Sequence, residues 1–170
     1  MDRKIDILVL DDKEEAQLQV RAALDLAGGY EAKIDWVARG ADLAGLGDKR
    51  YDLAFVDWFL DKDRAYGVDF LDRIIADWVV GFSSNITASE LIEKAAKTRG
   101  FRGTASVAKL KDDRQNPMLE AFFRALPEGR PGNKPLWLYR QSGVLPFRRE
   151  AGGLSLVLVT SRKDGEWILP

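Results

Sequence analysis

This chain has no cysteine and no histidine among its 170 residues. The first absence removes disulfides, thiolate metal sites and cysteine nucleophiles together, and it fits a reducing compartment. The second removes imidazole bases, histidine-ligated zinc and any phosphodonor histidine within the chain, so the chemistry must run on carboxylates, hydroxyls and amines. A bias of charge is lacking as well: 26 lysines and arginines stand against 27 aspartates and glutamates, for a formal net charge of −1. No stretch has the density of basic residues found on a nucleic-acid-binding face, so DNA or RNA is not an expected partner. Long apolar runs are missing too. The N-terminus, MDRKIDILVLDD, carries only a short one that ends in two aspartates, which suits neither a signal peptide nor a membrane span. A soluble, cytoplasmic protein with no membrane partner is expected.

What is present is apolar residues in short periodic groups. They make up 46% of the chain, enough at this length for one good core plus a small appendage. Ile5 to Leu10 reads as a strand buried on both faces, and Val20, Ala23, Leu24 and Ala27 follow at helical spacing until Gly28-Gly29. Ala32, Ile34 and Trp36 alternate as a second strand, Ala41 to Leu46 reads as a short helix, and Leu53 to Val56 as a third strand. Gly67 opens a helix with Val68, Leu71 and Ile75 on one face. Trp78 to Phe82 is a fourth strand, Thr87 to Thr98 a helix closed by Gly100, and Ala105 to Ala108 a fifth strand. Asn116 can cap a last helix that has Pro117 in its first turn and Leu119, Phe122, Phe123 and Leu126 on its buried side. Strands alternating with helices predict an α/β fold, a doubly wound five-stranded parallel sheet covered on both faces. Ligands of such sheets bind at the carboxyl ends of the strands, near the point where strand order reverses.

The polar residues obey that rule. Asp11 and Asp12 follow strand one, Asp57 strand three, Ser83 and Ser84 strand four, and Lys109 strand five. Taken singly, an aspartate after a strand is a cap or turn residue, and a lysine there is solvated. Three carboxylates, a hydroxyl and an ammonium on one edge have a joint logic. Neighbouring carboxylates repel unless a cation sits among them, and Mg²⁺ prefers a few carboxylate oxygens plus water and a phosphate oxygen. Asp57 can then act as nucleophile on a phosphoryl donor. Lys109 offers a compact positive charge to the product. The Ser83 hydroxyl can turn toward the new phosphate and draw its loop along.

ILVLDD, LAFVD with the later Gly67, GFSS and SVAK together resemble the receiver domain of two-component response regulators, across roughly Lys4 to Leu126. The resemblance implies a flavodoxin-like receiver fold in which Asp57 is the phosphoacceptor, Asp12 the direct ligand of Mg²⁺ or Mn²⁺ with Asp11 beside it, Ser83 the switch hydroxyl and Lys109 the phosphate-contacting lysine. It implies a sensor histidine kinase or a phosphotransfer protein as donor, and no enzymatic activity beyond the loading and unloading of Asp57. Two positions depart from the family pattern: Leu110 stands where a proline usually follows the lysine, and Ser106 where an aromatic switch residue is usual. The charged segment from Trp58 to Tyr66, longer than the family's loop, reads as a solvated surface loop.

Pro127 to Pro135 is rich in proline and glycine and predicts a linker between a receiver domain at 1–126 and a β-rich extension at 136–170. In the extension, Trp137 to Arg149 and Leu154 to Arg162 read as strands around Glu150-Ala151-Gly152-Gly153, with a turn at Lys163 to Glu166 before Trp167. RQSGVLPFR, LVLVTSR and WILP resemble the opening strands of Nudix hydrolases, but the glutamate-rich helix that would follow them is absent, so no hydrolysis is expected. Uncovered strand edges predict that the tail packs on the receiver or forms a homodimer. The alternatives are a regulatory fragment of a receiver–Nudix hydrolase and a degenerate receiver acting as a constitutive interaction module.

Overall fold

The computed structural model describes residues 2–110 and 115–126, and short strands at 147–150, 153–156, 159–160 and 167–168. Five parallel strands form the main sheet: β1 (Arg3–Leu10), β2 (Tyr30–Val37), β3 (Tyr51–Val56), β6 (Ala76–Ser83) and β7 (Gly103–Ala108), in the order β2-β1-β3-β6-β7. The chain steps from β1 outward to β2 and then returns to place β3 on the other side of β1. Strand order therefore reverses between β1 and β3, which opens a crevice at their carboxyl ends.

Alternation along the strands explains why both faces are covered. Ile5, Ile7, Val9, Leu53, Phe55, Val80 and Phe82 point to one side, where they pack on Val20 and Leu24 of α1 (Glu14–Ala27) and on Leu119, Phe122 and Phe123 of α3 (Pro117–Ala125). Leu8, Leu10, Ala54, Val56 and Val79 point to the other, against Leu71 and against Ile92 and Ala96 of α2 (Ile86–Thr98). Each fully buried side chain of this size stabilises the fold by about 1.5–3 kcal/mol. Local chemistry sets the helix ends. Asn85 and Asn116 cap α2 and α3 by accepting the backbone N–H of Thr87 and Leu119, and α1 stops at Gly28, whose φ of 70° an L side chain rarely adopts.

Two connections differ from the sequence reading. The segment at Gly67 is a 3-10 helix, Gly67–Arg73, as is the other short helix, Gly40–Leu46. Ile74, not Ile75, completes the buried face; Ile75 is 42% exposed. By that point the backbone has already become extended, with Tyr51 N–H donating to the Ile75 carbonyl as β3 and β6 begin to pair. Second, Trp58 to Tyr66 is not a plain solvated loop. It folds into a hairpin of β4 (Phe59–Leu60) and β5 (Ala65–Tyr66), with Leu60 fully buried in the second core.

The chain divides into two compact units, Met1–Trp137 and Leu138–Pro170. In the second, β8 (Phe147–Glu150) pairs antiparallel with β9 (Gly153–Leu156), and β10 (Val159–Thr160) with β11 (Trp167–Ile168). The linker expected at 127–135 lies outside the described residues, as does the part of the first expected tail strand that precedes Phe147. Among the described residues no helix is long and apolar enough to cross a membrane.

Candidate functional site

The sheet's own hydrogen bonds carry on one residue past the strands and fix the backbone of the candidate residues. Asp11 N–H donates to the Val37 carbonyl at 3.1 Å, Asp57 N–H to Leu10 at 3.0 Å, and Lys109 N–H to Ser83 at 2.8 Å. Side chains at these positions leave the strand ends together and enter the crevice between β1 and β3 or its margin.

There the carboxylates of Asp11, Asp12 and Asp57 offer oxygens that all lie within 4.8 Å of one another. The Lys109 ammonium donates to Asp11 Oδ2 at 2.5 Å and to Asp57 Oδ2 at 3.0 Å. Backbone N–H groups take the other oxygens of that pair: Lys13 donates to Asp11 Oδ1 at 2.9 Å, and Trp58 to Asp57 Oδ1 at 2.8 Å. Trp36 adds an indole N–H to the Asp11 carbonyl at 2.6 Å. Asp12 is different: its Oδ1 is buried and has no hydrogen-bond partner.

Burial and mutual repulsion leave this cluster electrostatically unsatisfied. Asp11, 1% exposed, has its pKa pushed up from 3.8 to about 6, first by loss of water; Lys109 opposes the shift and the Asp57 charge adds to it. Burial also works against the Lys109 ammonium, yet the charges of Asp11 and Asp57 and their hydrogen bonds outweigh it and hold its pKa above the ordinary value. Both partners of one ion pair thus shift upward, the acid because it is dry and the amine because it faces two acids. Three ionised carboxylates with one ammonium would leave two negative charges uncompensated. An orphaned carboxylate oxygen, a hard all-oxygen donor set and this residual charge fit a divalent cation such as Mg²⁺.

Ser83 lies on the same edge, opposite Ala108 in the β6–β7 register, and is buried. Its carbonyl takes the Lys109 N–H, and its own N–H donates to Ser89 Oγ of α2 at 2.9 Å. Ser106 has turned to Glu93 of α2: its side chain hydrogen-bonds a carboxyl whose pKa burial pushes upward. The sequence reading brought Asp11, Asp12, Asp57 and Lys109 to one place, and the structure does the same; it did not single out Ser89, Trp36 or Gln19. Gln19 and Ser89 are fully buried polar residues on helix faces that are otherwise apolar, which was the available signal.

The hairpin begins at the residue after Asp57. Gly67 N–H donates to the Trp58 carbonyl at 2.8 Å and closes its base. Tyr66 packs against Trp58 in a tilted arrangement and against Phe59 edge on face, with ring centroids 5.0 Å and 5.4 Å apart. At the tip, Asp63 accepts the Gly40 N–H and Lys62 lies over the Trp36 ring.

No family model and no curated protein matches the chain. Among solved structures the chain is similar to NtrX from Brucella abortus, with 21% identity, a TM-score of 0.48 and coverage of 70% of this chain and 26% of that one. It is also similar to the bacteriophytochrome response regulator RtBRR, with 17% identity, a TM-score of 0.46 and coverage of 80% of this chain and 86% of that one. The chain spans about a quarter of the length of NtrX. The α/β assignment stands on the chain's own strand order and register: five parallel strands, with helices on both faces.

Proposed function

We propose that the α/β unit is a receiver-type signalling switch that accepts a phosphoryl group on Asp57. The observation that carries this reading is the group of buried Asp11 and Asp57 and half-buried Asp12, with Lys109 bridging two of them, set at the point where strand order reverses. An Asp57 carboxylate oxygen attacks the phosphorus of a phosphohistidine on a sensor kinase or phosphotransfer protein. The P–N bond breaks, its electron pair stays on the imidazole nitrogen, and a mixed anhydride remains on Asp57. The chain has no histidine, so the donor must be another protein or a small acyl phosphate. Asp11, Asp12 and Asp57 would hold a divalent cation, which supplies neutralising charge to the transferred oxygens. Lys109, which donates to Asp57 Oδ2, would turn to a phosphoryl oxygen as a compact positive charge. The readout passes to the end of β6, where Ser83 is tied both to Lys109 and to Ser89 of α2. Binding of a dianion beside these groups biases that segment between two positions.

The test is intact-protein mass after incubation with acetyl phosphate and Mg²⁺. One added phosphoryl group, absent without metal and absent in Asp57→Asn, is expected; a folded protein that gains no mass overturns the reading.

A further inference from the structure

Gln19 is the only polar side chain among the buried positions of α1, and it is 2% exposed. Its amide closes on the backbone of the residue that follows Lys109: Nε2 donates to the Leu110 carbonyl at 2.6 Å, and Oε1 accepts the Leu110 N–H at 3.1 Å. The same Oε1 accepts from Asn116 Nδ2 at 3.3 Å, and that nitrogen also donates to the Ala108 carbonyl at 2.8 Å. Asn116, equally buried, has its Oδ1 committed to the Leu119 N–H at the start of α3. The residues on both sides of Lys109 are therefore gripped by two buried amides, anchored in α1 and at the head of α3. Past Lys109 N–H the sheet's own hydrogen bonds stop, and the Lys109 side chain is long and flexible. A peptide group withdrawn from water and left without partners is costly, so the strap resists any shift of the Lys109 backbone. It is built for a residue with an N–H to give, and Leu110 has one where a proline would not.

We propose that Gln19 is a positioning residue for Lys109: its amide clamp on the Leu110 peptide aims the Lys109 ammonium at the acceptor carboxylates. The functional consequence rests on the reading of Asp57 as a phosphoryl acceptor. Gln19→Leu keeps the bulk of the side chain and removes the clamp, whereas Gln19→Glu keeps an acceptor for Leu110 N–H and removes the donor to its carbonyl.

Two readouts test this. The first is the rate at which each lysine of the metal-free protein is acetylated by an N-hydroxysuccinimide ester, followed by peptide mass spectrometry. Loss of the clamp is expected to speed labelling of Lys109 by about threefold or more, as local opening becomes easier, while Lys49 and Lys94 keep their wild-type rates. The second is the rate of phosphoryl uptake from saturating acetyl phosphate and Mg²⁺. Gln19→Leu should be slower by roughly tenfold, the scale of a misplaced catalytic group, and the slowing should vanish in a Lys109→Ala background, because the two changes act through one side chain. Unchanged Lys109 labelling in folded Gln19→Leu, or equal slowing with and without Lys109, overturns the proposal. If the wild-type protein takes up no phosphoryl group, the functional reading falls and the labelling arm alone decides the positioning role. If Gln19→Leu does not fold, Gln19→Glu decides it on the same measurements.

Discussion

Lys109 and Lys49 each sit between two aspartates, and the nearer carboxylate of each responds in the opposite direction. Lys109 lies 2.5 Å from Asp11 and 3.0 Å from Asp57; Lys49 lies 2.5 Å from Asp35 and 3.6 Å from Asp6. Asp35 also accepts from Tyr51 at 2.8 Å, with the Tyr51 ring beneath the Lys49 ammonium. The shortest contact is the same in both places, yet Asp35 is held below its ordinary pKa by the Lys49 hydrogen bond, whereas Asp11 is pushed up. Water accounts for the difference. The Lys49 side chain is 28% exposed and that of Lys109 is 9% exposed, so the first cluster is solvated and finished, while the second has lost hydration that one ammonium does not replace. A site that lacks positive charge is suited to take up a cation.

The largest expected effect separates the two lysines directly. In the presence of chelator, Lys109→Met should lower the unfolding free energy in urea by about 3–5 kcal/mol, because it strands buried carboxylates. Lys49→Met should cost at most about 1 kcal/mol, and equal losses would break the comparison. Next comes pH. Folded Asp11 keeps its proton up to about pH 6 and the unfolded residue only to 3.8. Between those values the folded state binds more protons, so stability from this group falls as pH rises, by roughly 3 kcal/mol once both states are ionised. Asp35, with its lowered pKa, acts in the other sense and loses its contribution as pH falls. Asp11→Asn should flatten the decline between about pH 4 and 6 in metal-free protein; an unaltered slope would assign it elsewhere. The smallest effect is ligand linkage. Mg²⁺ at ten times its dissociation constant should raise stability by about 1.4 kcal/mol. That gain should disappear in Asp12→Asn and survive in Asp35→Asn, and survival in both would place the ion away from the orphaned oxygen.

The strands and the acidic edge were legible because their signals are local. A short apolar run followed by aspartate, as in Leu10-Asp11 or Val56-Asp57, states both the strand and its end. Gln19 was passed over for the converse reason. Reading a helix face by its apolar residues, here Val20, Ala23, Leu24 and Ala27, skips the polar residue that shares it, and its partner Leu110 is 91 positions away. The Trp36 indole bond to Asp11 depends on the register of β2 against β1, which alternation alone does not set. The hairpin after Asp57 was misread because Asp61-Lys62-Asp63-Arg64 carries so much charge. Those four residues are its turn, and the flanking aromatic residues with Leu60 pack as a small structure of their own.

Gly67 closes that hairpin, and a Cβ there would run into the Asp57 carbonyl oxygen. The backbone on both sides of the hairpin is therefore pinned at one fixed seam, Trp58 to Gly67, beside Asp57. For a protein engineer, residues 59 to 66 form an exchangeable cassette. Its length and sequence can be rewritten to carry a reporter group, provided that position 67 stays glycine and a bulk like that of Leu60 still fills the core. A graft of this kind changes the surface beside Asp57 without changing where Asp57 sits.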